Sequence, residues 1–450
     1  MDMNILNKAL TDEGYQDLRY ENLSITSIKI KNDEIKEVSV TKKEGGHARV
    51  LLGGGFGTFS FNKLEDAKQA INECIESSKI IPGDKKLAEA PVVVDKILLT
   101  PEIDPREISL DEKKELLLKY SKLAKEIEGI SLVEANYYEH YNKKYFVNNE
   151  GSQIEQEQLI CGMTFAMTSK KEGLTQQTRL SFGGCESFAD MYNKDEEIKM
   201  KAEQTVDLLS AKPVENGIYD VILDNAVGGL FIHEAFGHLS EADNLLRSDA
   251  LKETMKLGRQ FASPLLNVID DPSIEGIPGN YVYDDEGVKG TATYLIKEGI
   301  LSGRLHSRET AGHVGEKPTG HCRAKNFEYT PIVRMGNIYI DEGPNTFEEM
   351  IKVTDRGIYL FGAAGGQTSG EMFTFAVQGG YIIENGQIKE MVRDIVLTGN
   401  LFTTLKNIDM IGNDRKMRKQ GGCGKDGQIM VKSGYGSPFI RIKSMAIGGK

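Results

Sequence analysis

"GIYDVILDNAVGGLFIHEAFGHLSEAD", residues 217–243, decides how this chain folds and what chemistry it offers. "YDVILD", from Tyr219 to Asp224, is a short apolar run of the kind that forms a buried strand. Asp224 or Asn225 then caps a helix. That helix carries His233, Glu234 and His238. In the familiar H-E-x-x-H arrangement, two histidines four apart share one helix face and present both rings to a metal. Here they are five apart. At about 100° per residue, five steps leave the rings roughly 140° apart on a regular helix. A metal site on this segment therefore requires a bulge or a break. A π-type turn, which brings i and i+5 towards one side, or a helix that breaks within the motif would absorb the extra residue. Gly237, directly before His238, is the expected hinge.

The competing reading is two ordinary histidines beside an acid. Glu234 follows Leu230-Phe231-Ile232 and so stands near buried surface. An unpartnered carboxylate is costly there, which argues for a site. Spacing alone leaves both readings open. A catalytic zinc takes three protein ligands and keeps one position for water, with a nearby carboxylate as base. His233 and His238 supply two ligands, and Glu234 is placed by sequence to be the base. The third ligand is open. Glu241, three past His238, reads more simply as an exposed glutamate. His321 and Cys322 lie in "TGHCRAKN", and Cys423 lies between glycines in "GGCGKDGQ". Thiolate suits zinc, but a free buried cysteine is the ordinary alternative for either thiol.

The flanking sequence sets the frame. A chain of 450 residues exceeds one ordinary core, so two domains are expected. With 39% hydrophobic and 27% charged residues it belongs to the globular class. In the first half, "SITSIKIKNDEIKEVSV" alternates like half-buried strands. "NKLEDAKQAINECIESSKI" and "SLDEKKELLLKYSKLAKEI" carry helical periodicity, and Ser109 with Glu112 has the look of a capping box. Residues 130–183 read as strands, and a helix over about 196–211 leads to Pro213. The expected fold is α+β. Residues 1–212 form an N-terminal mixed α/β domain. Residues 213–450 form an antiparallel, β-rich domain carrying the motif helix.

Composition also excludes function classes. A formal net charge of −12 argues against nucleic acid as a partner. The one basic run, "RKMRK" at 415–419, reads as a solvated surface segment. No stretch approaches the ~18 apolar residues that would span a membrane. The N-terminus lacks a secretory pattern. Five scattered cysteines suit a reducing cytoplasm better than a disulfide framework.

Taken together, the motifs resemble the TldD/PmbA family of metallopeptidases, in its TldD-like, metal-binding branch. "GGHARVLLGGGFGTFSFNKLEDAKQAI", the H-E-x-x-x-H segment, "YDDEGVKGTATYLIKEGILSGRLHSRETA", "RAKNFEYTPIVRMGN", "GYIIENGQI" and "CGKDGQ" follow in the family's order. The resemblance implies a zinc-dependent peptidase that cleaves small, unfolded or modified peptides. It implies zinc on His233, His238 and Cys423, with Glu234 as general base for metal-activated water. It also implies a two-subunit assembly, either a homodimer or a pair with a metal-free relative. "GHCRA" and the stretch "TSGEMFTFAV" depart from the family pattern. They leave substrate preference and the oxyanion contact open: zinc itself can serve, with His321, Arg323 or a tyrosine as candidate assistants. Two strands, "MFTFAV" and "NIYI", are candidates for adding an extended peptide to a sheet edge. Two alternatives stand beside this reading. One is a non-catalytic regulatory or binding subunit with a structural zinc, and the other is another zinc-dependent amide hydrolase.

Overall fold

Alternation in the first third of the chain becomes strands of unusual length. Tyr15–Lys31, Glu34–Leu52 and Ile130–Asn148 run 17, 19 and 19 residues, against a typical five or six. In this computed structural model, which describes residues 3–81, 83–419 and 421–449, they form the centre of a seven-stranded sheet. Asn32, at φ 53°, turns the chain between the first two. Gln153–Lys171 and Leu174–Cys185 continue the sheet as antiparallel neighbours.

A 17-residue strand spans about 55 Å, so one sheet supports two separate cores. At one end Leu18, Tyr20, Ala48 and Val50 pack under the helix Ala67–Ile80, which presents Ala70, Ile71 and Cys74. At the other end Ile28, Ile30, Tyr137 and Phe165 meet Leu117, Tyr120, Ile198 and Ala202. Those last four come from the helices Leu110–Lys125 and Asp195–Asp207. Ser109 caps the first of these, accepting from the Glu112 amide at 3.1 Å.

The second half is strand-rich, as expected. Gly217–Leu223, Ile440–Gly449, Ile395–Asn400, Met372–Glu384 and Arg356–Ser369 pair in succession. Arg356–Ser369 also pairs back to Gly217–Leu223, closing the five strands into a ring. Most pairings are antiparallel, but Gly217–Leu223 lies parallel to Arg356–Ser369, and Asn337–Ile340 lies parallel to Gly434–Ser437. Phe231 from the motif helix enters the core against Phe373 and Phe375. Among the described residues, no strand pair joins the seven-stranded sheet to the C-terminal sheets.

Two expectations about strand edges do not hold. Residues 372–376 are hydrogen bonded on one side to Arg356–Ser369 and on the other to Ile395–Asn400. Asn337–Ile340 lies between Val268–Asp270 and Gly434–Ser437. Both are sheet interior, paired on either side among the described residues, and so are not edges for a peptide to join. The basic run lies at the surface as expected, with Lys416 and Lys419 exposed and the residues between and beside them half-buried. Lys416–Arg418 is a strand on Gly434–Ser437, Arg418 donates to the Tyr435 hydroxyl, and Lys419 pairs with Asp190.

Candidate metal centre

The motif helix starts where the sequence places it. The Asp224 carboxylate accepts from the Val227 amide at 2.7 Å and from the Gly362 amide at 2.8 Å. This cap joins the first turn to the neighbouring strand. Gly228 and Gly229 let the helix lie close on Gly434–Ser437. A Cβ on the first would sit 2.6 Å from the Ser437 hydroxyl, and one on the second 2.9 Å from the Tyr435 ring.

After Phe231 the regular helix gives way. Residues Ile232–Gly237 form a π-helix, and a short 3-10 turn, His238–Ser240, follows. The wider turn offsets the extra residue between the histidines, and the two imidazole centroids lie 5.5 Å apart. Gly237 is not the hinge. Its φ of −55° and ψ of −49° are ordinary helical values. Glycine is needed there for space, because a Cβ would lie 2.2 Å from the Met335 sulfur.

Cys423 reaches this helix from far along the chain, on the hairpin formed by Cys423–Lys425 and Gln428–Val431. Asp426 and Gly427, at φ 48° and 78°, make its tight turn. One donor atom each from His233, His238 and Cys423 falls within 4.8 Å of the others. His233 Nδ1 is buried without a hydrogen-bond partner among the described residues. Two imidazoles, one with an orphaned buried nitrogen, and a thiol make a three-donor set that fits zinc.

The surroundings hold each donor in place. His238 Nδ1 lies 3.0 Å from a Glu241 carboxylate oxygen. Glu241 is fully buried and also takes Lys425 Nζ at 3.0 Å, while Lys425 reaches Asp243 at 2.6 Å. Glu241 is therefore not the exposed glutamate its position suggests. It orients a ring, as carboxylates beside ligating histidines commonly do. Arg334, fully buried, donates through Nη2 to the Cys423 carbonyl at 2.7 Å and to its Sγ at 2.9 Å. Its Nη1 reaches the Gln428 carbonyl at 3.3 Å. Arg334 and Lys425 stand inside the quoted segments "RAKNFEYTPIVRMGN" and "CGKDGQ", but the sequence reading gave neither a role.

Electrostatics separate the two histidines. Burial, then the neighbouring His238, pushes His233 down to about 4. Burial acts the same way on His238, but the hydrogen bond and charge of Glu241, with Cys423 and Glu234 beyond, raise it to about 9.

Glu234 lines a cleft of about 900 Å³ together with His233, Tyr435, Arg418 and the sheet residues Thr164 and Arg179. The cleft thus runs between the N-terminal sheet and the motif helix. His321 and Arg323 are not brought to the trio. His321 spends its ring nitrogens on Thr319 at 2.9 Å and Asp270 at 3.0 Å. Arg323 donates to the Met335 and Lys432 carbonyls, both at 2.7 Å.

Comparison with known proteins covers almost the whole chain. Family models match over residues 17–81 (PmbA/TldA metallopeptidase domain 1), 103–212 (central domain) and 216–449 (C-terminal domain). A metalloprotease of Synechocystis is 37% identical, over 99% of this chain and 97% of that protein. A zinc metalloprotease TldD homolog of Saccharolobus solfataricus is 29% identical, over 97% of each. The crystal structure of TldE from Thermococcus kodakarensis superposes with a TM-score of 0.79 at 17% identity, over 99% of each chain, and so shares the fold.

Proposed function

This chain belongs to the PmbA/TldA metallopeptidase family, and from that premise we propose that it is a zinc-dependent peptidase acting on small, unfolded or modified peptides. The observation that carries the reading is the convergence of His233, His238 and Cys423 within 4.8 Å beside a cleft that Glu234 lines. His233, His238 and Cys423 would hold the metal. When bound, zinc would supply Lewis acidity to a water and to the scissile carbonyl. Glu234 takes the proton of the attacking water and returns it to the leaving amine. Glu241 keeps the His238 ring oriented, Lys425 holds Glu241, and Arg334 holds the sulfur.

His321 and Arg323 have their polar atoms engaged elsewhere, so the oxyanion contact falls better to Tyr435 and Arg418, which line the same cleft. Engagement of Glu241 by His238 and Lys425 also argues against a closed four-ligand structural site. Glu234→Gln is expected to retain one zinc while peptide cleavage falls by about 10³-fold. Wild-type turnover in that variant sinks the assigned role. Cys423→Ala is expected to lose zinc by metal analysis; full occupancy would remove Cys423 from the ligand set.

We also propose that residues 1–212 and 213–450 are separate folding domains, supported by the absence of strand pairing between their sheets among the described residues. The protein is proposed to work in the cytoplasm as one subunit of a homodimer, or of a pair with a metal-free relative. Among the described residues no helix is long and apolar enough to cross a membrane, and the cysteines are all free. Sedimentation of the purified chain alone, showing a monomer or a dimer, separates the two assemblies.

A further inference from the structure

Beside the metal cleft lies a second cavity, of about 580 Å³. Thr164, Gly421 and Met430 line both spaces, so the two adjoin at the segment that carries Cys423. Lys144, Arg323, Lys325 and Lys432 face the second cavity with His140, and no carboxylate lines it among the described residues.

The four cations are not equivalent. Lys144 pairs with Asp285 at 2.8 Å. Arg323 is engaged by backbone carbonyls. Lys325 is exposed, with Glu328 near enough to feel its charge. Lys432 has neither a hydrogen bond nor an ion pair at Nζ among the described residues; its ammonium lies 4.5 Å from the centre of the Tyr138 ring. Its position is set by the site itself, because Val431, the residue before it, pairs across the hairpin with Cys423. Burial pushes Lys432 down to about 8. Burial, then Lys432 and Lys325, pushes His140 down to about 4. A cation half withdrawn from water without a counter-charge is an unfavourable arrangement that an entering anion relieves.

We propose that this cavity receives a carboxylate of the peptide substrate, held by Lys432 with Lys325 at its mouth. The inference rests on the peptidase reading for the identity of the ligand, since the anions of an unmodified peptide are its C-terminal carboxylate and its Asp and Glu side chains. Two sources share that chemistry, and matched peptides separate them: free acid against C-terminal amide, and Glu against Gln near the terminus.

The test compares kcat/KM for these pairs in the zinc-loaded full chain. Wild type is expected to favour one carboxylate-bearing member by about 10-fold or more. Lys432→Met is expected to reduce that ratio to about 1, and Lys432→Arg to retain most of it. If Lys432→Met does not fold, Lys325→Met gives the same readout, with the ratio falling about 3-fold. Equal turnover of every pair by wild type, or an intact ratio in the folded methionine variant, overturns the proposal. Calorimetric binding of the same peptides to Glu234→Gln distinguishes the two failures. Carboxylate-dependent binding without wild-type cleavage keeps this site and removes the peptidase. Cleavage without carboxylate preference does the reverse.

Discussion

Two segments make the candidate centre, and they are held in opposite ways. The segment from Asp224 to Glu241 is organised largely by its own neighbours in sequence: a side-chain cap at its start, a helix, a π turn and a 3-10 turn. The hairpin from Cys423 to Val431 is two short strands and a turn. It is fastened from outside by Arg334 at its carbonyls, by Lys425 reaching Glu241 and Asp243, and by Asp426 paired with Arg247. Neither is long enough to stand without packing, but the helix closes its hydrogen bonds within one turn of chain, whereas the hairpin draws its fastenings from distant residues. One half of the site is thus a local structure placed in a core. The other depends on contacts with distant parts of the chain, buried charges among them.

That contrast can be broken by removing its fastenings in order of expected effect. Arg334→Met leaves buried carbonyls of Cys423 and Gln428 without their donor. We expect a loss of about 3 kcal/mol in unfolding free energy, with zinc occupancy falling alongside; a fully metallated, equally stable variant would show that the hairpin holds itself. Gly237→Ala tests the helical half. The new methyl meets Met335 at 2.2 Å, and overpacking of this kind costs about 1–3 kcal/mol. Denaturant midpoints measure it, and no loss at all would mean that the helix shifts freely against the segment that carries Met335. The smallest effect is expected at Arg247→Ala. The side chains of Arg247 and Asp426 are 56% and 37% exposed, and such a pair contributes about 0.5 kcal/mol. A change as large as that of Arg334→Met would move the hairpin's main support to its tip.

Glu241 and Gly237 mark where sequence reasoning reached its limit. Glu241 looked exposed because a glutamate just beyond a helix usually is; Lys425, on the distant hairpin, buries it by supplying the counter-charge. Gly237 looked like a hinge because glycine permits unusual dihedrals, yet its backbone is regular and the constraint comes from Met335. The edge candidates at 337–340 and 372–377 failed for the same reason. Alternation identifies a strand but not its neighbours.

By itself the sequence determined the features whose geometry closes within a few residues. The capped helices, the alternating strands and an i,i+5 histidine spacing that a regular helix cannot turn to one metal all follow from the fixed periods of helix and strand. The order of motifs also pointed to Cys423 through resemblance. Only the tertiary structure brought that thiol to the imidazoles, buried Glu241 against Lys425, placed Arg334 on the sulfur, and set Lys432 without a counter-ion beside the cleft. Those are contacts between groups far apart in the chain. Their geometry depends on how the sheets and the motif helix pack, and no local rule carries that information.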